Sequence, residues 1–158
     1  MEKTQAMQDF QAFFGATATD LFTAAGRINV IGEHIDYCGG KVFPAALNLR
    51  CSVYGRKTES NQIRLAFRGI EGVVALDIDD LDSYRNLKIG NYQAGVAYFM
   101  KEKGVNLVGC DLYYDCSVPF GSGLSSSAAI EVATTVALCE FAGVPYDKIE
   151  VEIGRAHV

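Results

Sequence analysis

Two short stretches of the 158-residue chain hold residue types that can do chemistry. In Glu33-His34-Ile35-Asp36, two acids and one of the chain's two histidines stand almost side by side. Carboxylates grouped with an imidazole can hydrogen-bond a polyhydroxylated ligand or ligate a metal. His34-x-Asp36 is a weak metal signal on its own, since no third and fourth ligand follow at the usual spacing. The plain alternative is a polar turn, with Asp36 bonding its own backbone before Gly39-Gly40.

The second stretch is Val118-Pro119-Phe120-Gly121-Ser122-Gly123-Leu124-Ser125-Ser126-Ser127-Ala128-Ala129. A glycine-rich turn that opens a helix suits phosphate. The helix start offers unpaired N–H groups and partial positive charge, and glycine lets anionic oxygens approach the backbone. A Walker loop would need a lysine that this stretch lacks, and a dinucleotide fingerprint would need a third glycine where Ser126 stands. The remaining rival is a buried helix merely capped by serine. The three serines favour phosphoryl chemistry, because a hydroxyl can cap the helix and also ligate Mg²⁺ beside a nucleotide.

The elements that would position these stretches follow from periodicity. Asp20–Ala25 and Arg27–Ile31 read as strand interrupted at Gly26, leading into the acidic loop. Pro44–Leu47 reads as a short connection after that loop. Asn48–Thr58 alternates, with Leu49, Cys51, Val53 and Gly55 opposite Ser52, Tyr54 and Arg56, as a half-buried strand does. Gln62–Arg68, Val73–Ile78 and Gly109–Ser117 are further strands, and Asp79-Asp80-Leu81-Asp82 reads as a solvated acidic turn. Helical spacing is expected over Glu2–Phe14 (Met7, Phe10, Phe13, Phe14) and Asn91–Lys103, with Tyr92, Val96, Phe99 and Met100 on one stripe. Ser125–Ala142 is apolar nearly all round, the pattern of a buried helix, and Gly143 stands at its expected end. Asp147 with Glu150 reads as a capping pair opening one more helix.

Composition narrows the class. Apolar residues make 49% and charged ones 21%, as in a globular domain, and the net charge is −5. Lys and Arg are scattered, without the basic face nucleic acid needs. No apolar run approaches the ~20 residues of a membrane span. The N-terminus lacks a signal-peptide pattern, so a cytoplasmic protein without nucleic-acid or membrane partners is expected. The five cysteines show no Cys-x-x-Cys spacing and are expected as free thiols, with Cys110 and Cys116 facing the core as small hydrophobes.

Gly26–Gly40 closely resembles the galactokinase signature of the GHMP kinase superfamily, and Val118–Ala129 resembles that superfamily's ATP-binding loop. The resemblance spans about Phe22 to Glu152. It implies an α+β fold, the GHMP kinase N-terminal domain (ribosomal protein S5 domain 2-like), with a mixed sheet covered by helices. It implies transfer of the γ-phosphoryl group of MgATP to the anomeric hydroxyl of galactose. By the same resemblance Gly121, Ser122, Gly123, Leu124, Ser125, Ser126 and Ser127 bind ATP, and Ser127 ligates Mg²⁺. Arg27 stabilises the transition state, where its bland alternative is a surface ion pair, and Glu33, His34, Ile35 and Asp36 bind the sugar. The sequence departs from the family pattern at Ala25 (commonly proline), Ile35 (threonine) and Cys38 (asparagine). Another sugar kinase, such as one for N-acetylgalactosamine, and a non-catalytic galactose- and ATP-binding sensor therefore remain alternatives.

Residues 1–152 are expected as one domain and 153–158 as a candidate non-native tail, with His157 given no role. The helix opened at Asp147 runs under two turns before the chain stops. The general base and a second domain are accordingly expected beyond the chain end, this chain alone is expected to be inactive, and the full-length enzyme is expected to be a monomer.

Overall fold

Alternation along Phe43–Lys57 produces the longest strand, and the sheet is laid around it. The computed structural model describes residues 2–32, 38–84 and 87–146. Their order is α1 (Glu2–Phe14), β1 (Asp20–Ile31), β2 (Phe43–Lys57), β3 (Gln62–Phe67), β4 (Ile70–Asp77), a 3-10 segment (Ile78–Tyr84), α2 (Asn91–Glu102), β5 (Cys110–Cys116) and α3 (Ser126–Ala142). The sheet runs β1-β2-β5-β3-β4, parallel between β3 and β5 and antiparallel elsewhere. It is the mixed sheet of an α+β domain. No described helix is long and apolar enough to cross a membrane.

The two-residue period of the strands sorts the core into two layers. Cys51, Val53, Ile63, Leu65, Cys110, Leu112 and Tyr114 face α2 and α3. Tyr54, Ala66 and Tyr113 face α1, which buries Ala6, Phe10 and Phe14 against them. The expected face of α1 is thus correct, with Met7 and Phe13 at its margin. Gly143 ends α3 in the left-handed conformation its position predicted.

Four local expectations are corrected. Pro44–Leu47 is strand: β2 starts at Phe43, and Asn29 pairs with Pro44. There β2 has β1 alone as a neighbour, because β5 joins only from Cys51, so proline's missing N–H breaks no ladder. Gly26 lies within one continuous β1, opposite an irregularity where β2 carries the extra residues (Leu47, Asn48 and Leu49 between the partners of Arg27 and Ala25). The stripe on α2 is rotated: Tyr92 and Phe99 are exposed, whereas Gln93, Ala94, Val96, Ala97 and Met100 are buried. The small Ala94 and Ala97 let α2 pack close to its neighbours. The acidic turn is a 3-10 segment whose Leu81 is buried. The helix expected from Asp147 and the tail lie outside the described residues.

Under α1, Asp111 is fully buried and takes 2.6 and 2.9 Å bonds from Arg64 and a 2.8 Å bond from Arg56. The Arg64 guanidinium also lies 5.3 Å from the centre of the Phe14 ring. Deleting one member of a buried pair strands the other charges, at about 3–5 kcal/mol when all are dry. Both arginines are about a third exposed, at 33% and 29%, and water relieves part of that cost. Asp111→Ala should therefore cost about 1–3 kcal/mol, read as a lower urea midpoint at unchanged slope. An unmoved midpoint would mean that α1 docks without the ion cluster.

Candidate active site

The strand β1 and the loop before α3 are distant in sequence and adjacent in space. The Arg27 N–H donates to the Leu124 carbonyl at 3.1 Å. One residue earlier, a Cβ on Gly26 would stand 3.0 Å from the Leu124 oxygen and 3.1 Å from both Val118 methyls. A side chain at position 26 would push the loop away, so glycine permits this junction. The sequence already marked Gly26 as an interruption, but not what approaches it.

The loop has the conformation a ligand cradle requires. Gly121 and Gly123 adopt φ of +69° and +74°, and a Cβ on either would point into open space. The Ser122 hydroxyl donates to the Pro119 carbonyl at 2.7 Å and braces the turn. Ser125 is the only described non-glycine residue with positive φ (57°), a strain of order 1–3 kcal/mol. It precedes α3 but makes no side-chain capping bond. The serine-cap alternative is therefore incorrect for Ser125, and no Ser125 cap satisfies the first N–H groups of α3. Ser126 is buried in the first turn, and Ser127 beside it is half-buried.

Behind the junction lies an open cleft of about 370 Å³ between β1, the start of β2 and the first turns of α3. Arg27, Gly26, Pro44, Ala128, Ala129 and Val132 are among its lining residues. Arg27 Nε is buried in the cleft wall without a hydrogen-bond partner, and two residues along β1 both side-chain polar atoms of Asn29 are likewise buried and unpartnered. The ion-pair alternative for Arg27 has no support here: no salt bridge of Arg27 is found among the described residues. Buried, unpaired donors carry a desolvation cost that an oxyanion or hydroxyl would offset.

The sugar-loop residues Glu33, His34, Ile35 and Asp36 lie outside the described residues. Their frame is described. At Gly32, with φ of +105°, a Cβ would fall 2.9 Å from the Lys41 carbonyl and the Val42 Cα. The two ends of the loop are thus held together at the tip of the β1–β2 ribbon.

Sequence reading missed a second cavity of about 480 Å³, walled by Tyr84, Tyr92, Tyr98, Asn91 and Glu131. Its tyrosines come from α2 and the 3-10 segment, and Glu131 sits one turn beyond Ser127 on α3. No local pattern joins them. The departure of Tyr92 from the expected α2 stripe would have been the one clue.

For a hard cation, the donors fit one role. Mg²⁺ keeps most of its waters and takes few protein oxygens, and the half-buried Ser127 hydroxyl can be one of them. Among the described residues no three His, Cys, Asp or Glu side chains cluster as a self-sufficient cage.

Comparison with known proteins bears on both motifs. The family model described as the galactokinase galactose-binding signature matches residues 8–57, and that of the GHMP kinases N terminal domain matches residues 91–156. The galactokinase of Ligilactobacillus salivarius is 37% identical over 153 residues, covering 95% of this chain and 40% of the relative. The galactokinase of Streptococcus mutans is 35% identical, covering 98% of this chain and 41% of the relative. This chain therefore spans about 40% of the length of the curated relatives it matches. Lactococcus lactis galactokinase, solved in complex with galactose, superposes with a TM-score of 0.88 at 27% identity, over 99% of this chain and 42% of that one. Methanococcus jannaschii mevalonate kinase shares the fold, with a TM-score of 0.72 at 18% identity over 84% of this chain and 43% of that one.

Proposed function

We propose that this chain is a galactokinase-type GHMP kinase and that its site serves phosphoryl transfer from MgATP to the anomeric hydroxyl of galactose. The fold is the GHMP kinase N-terminal domain. One observation carries the proposal. The Arg27 N–H to Leu124 bond over Gly26 sets a buried, unpaired guanidinium Nε next to a glycine-serine loop that opens a helix.

In this reading Gly121–Ser127 holds the triphosphate, and the N–H groups at the start of α3 face its charge. The tyrosine-lined cavity beside Glu131 has the flat walls that suit the base. Ser127 is a ligand for Mg²⁺. Bound MgATP supplies the transferable phosphoryl group, its charge partly neutralised by the cation. Arg27 then neutralises charge that develops on the oxygens in flight, which a fixed, always-charged fork does well. Glu33, His34 and Asp36 accept and donate bonds to sugar hydroxyls, with the Ile35 backbone between them. A carboxylate left without its hydroxyl rejects the wrong epimer. Residues 1–152 act as one domain, in a cytoplasmic, monomeric enzyme whose partners are galactose and ATP.

Ser127→Ala tests the nucleotide half. It should weaken binding of MgATP about tenfold while leaving galactose affinity unchanged, since one ligand is lost and the sugar loop is untouched. Isothermal titration with each ligand separately reads both. Equal losses for the two ligands would mean that Ser127 holds the fold rather than the metal.

A further inference from the structure

Beneath the phosphate loop lie two cysteines that the proposed chemistry does not use. Cys51 on β2 pairs with Cys116, the last residue of β5. The Ser117 N–H donates to the Arg50 carbonyl and the Thr58 N–H to the Gly109 carbonyl, so the pairs flanking this ladder in that register are the hydrogen-bonded ones. Cys51 and Cys116 therefore face each other at a non-hydrogen-bonded position, where Cα atoms stand about 4.5 Å apart and side chains are closest. That separation lies within the span a disulfide bridges. Both thiols are free, and their side chains share the core face of the sheet.

We propose that Cys51 and Cys116 form an oxidant-reactive dithiol that closes reversibly to a cross-strand disulfide and thereby weakens the adjoining nucleotide loop. The two sulfurs divide the work. Cys116 is half-buried and within reach of a small oxidant, whereas Cys51 is fully buried. Its accessibility makes Cys116 the attacking sulfur, and its neighbour Cys51 shifts the Cys116 thiol downward from the ordinary value. Burial and the neighbouring sulfur raise Cys51.

The co-reactant is a peroxide. The Cys116 thiolate attacks one peroxide oxygen, forming Cys116 sulfenic acid, and the O–O bond breaks with the leaving oxygen taking up a proton. The Cys51 sulfur then attacks the Cys116 sulfur, losing its own proton as hydroxide leaves as water. Two thiols and one hydrogen peroxide give one disulfide and two waters, a two-electron oxidation.

The consequence for the loop follows from one contact. Cys116 Sγ donates to the Val118 carbonyl at 3.8 Å, and Val118 is the residue whose methyls pack against Gly26. A disulfide sulfur has no proton, so oxidation removes the tie at the entrance to Gly121–Ser127. This part of the inference rests on the nucleotide reading given above.

The test begins with the reduced, purified chain and one equivalent of hydrogen peroxide. Peptide mapping by mass spectrometry should find Cys51 joined to Cys116, two hydrogens lighter and restored by dithiothreitol, before the exposed Cys38 is modified. Cys116 proceeding to sulfinic acid while Cys51 still alkylates, or Cys38 consuming the oxidant first, would overturn the dithiol. Affinity for a non-hydrolysable MgATP analogue is then titrated before and after oxidation. It should fall on the order of fivefold or more, the low end of coupling between linked sites. The half-buried Cys116→Ser variant should form no such disulfide and show no loss. An unchanged affinity in the disulfide form would overturn the control of the loop. Failure of a reduced protein of the relatives' full length carrying this chain to bind the analogue would instead reject the nucleotide reading, and the control with it, leaving the disulfide to the mapping result alone.

Discussion

Arg27→Met, in a protein of the relatives' full length carrying this chain, should lower kcat by about 10³-fold or more, the range seen when an arginine over a transferring phosphoryl group is lost. The melting temperature should hardly move. Arg27 Nε is buried and unpaired, so an apolar side chain of similar length removes a desolvation penalty rather than a bond. The backbone N–H that holds Leu124 remains, and the loop keeps its place. Arg27→Lys should fall between, because it keeps the charge and loses the planar fork. The kinetic split decides the matter. An interaction made only in the transition state lowers kcat and kcat/KM together. If KM alone rises, Arg27 holds ground-state phosphate. If the melting point falls with the activity, Arg27 is a packing residue.

Asp36→Ala should raise the galactose dissociation constant by about tenfold to a hundredfold, while nucleotide affinity and melting temperature stay put. A carboxylate bonding sugar hydroxyls in a largely dry pocket is worth roughly 1–3 kcal/mol. Asp36→Asn should lie between, since the amide retains one acceptor and loses the charge. The competing role is a turn former before Gly39-Gly40, in which case Asn replaces Asp well and Ala costs stability. Calorimetry of the three proteins, with galactose and nucleotide titrated separately, tells these apart. A loss shared by both ligands and tracking the melting point would remove Asp36 from the sugar site. At the base of the loop, the described Gly32 approaches the Lys41 carbonyl and Val42 by backbone.

Most of the elements were legible because each depends on a local period. Leu49 to Arg56 alternates as a strand must, and 126–142 is apolar on all sides as a helix against a sheet and a second helix must be. The turn at Gly121–Ser125 before α3 was legible for the same reason, since glycines ahead of a helix start mark a turn. The failures share a different cause. Pro44–Leu47 is poor strand sequence, and it becomes strand because β1 lies beside it and its other edge is open. Tyr92 and Phe99 fit a helical stripe, but the neighbours of α2, not its period, decide which side is covered.

Cys116 shows the limit most directly. Alternation placed it on the core face, where a thiol is a small hydrophobe. Only the β2–β5 register sets it opposite Cys51, two residues before Val118.

By itself, then, the sequence determined most of the strand and helix content and the glycine-serine turn before α3, since these are contained in runs of about fifteen residues. The tertiary structure decided what those runs meet. It seats Gly26 against Val118 and Leu124, leaves Ser125 strained without a capping bond, and buries Arg27 Nε unpaired. It also brings Glu131 of α3 to the tyrosines of α2 and the 3-10 segment around one cavity. Each of these is a contact between residues far apart along the chain, and such contacts depend on sheet order and packing, which no local period encodes.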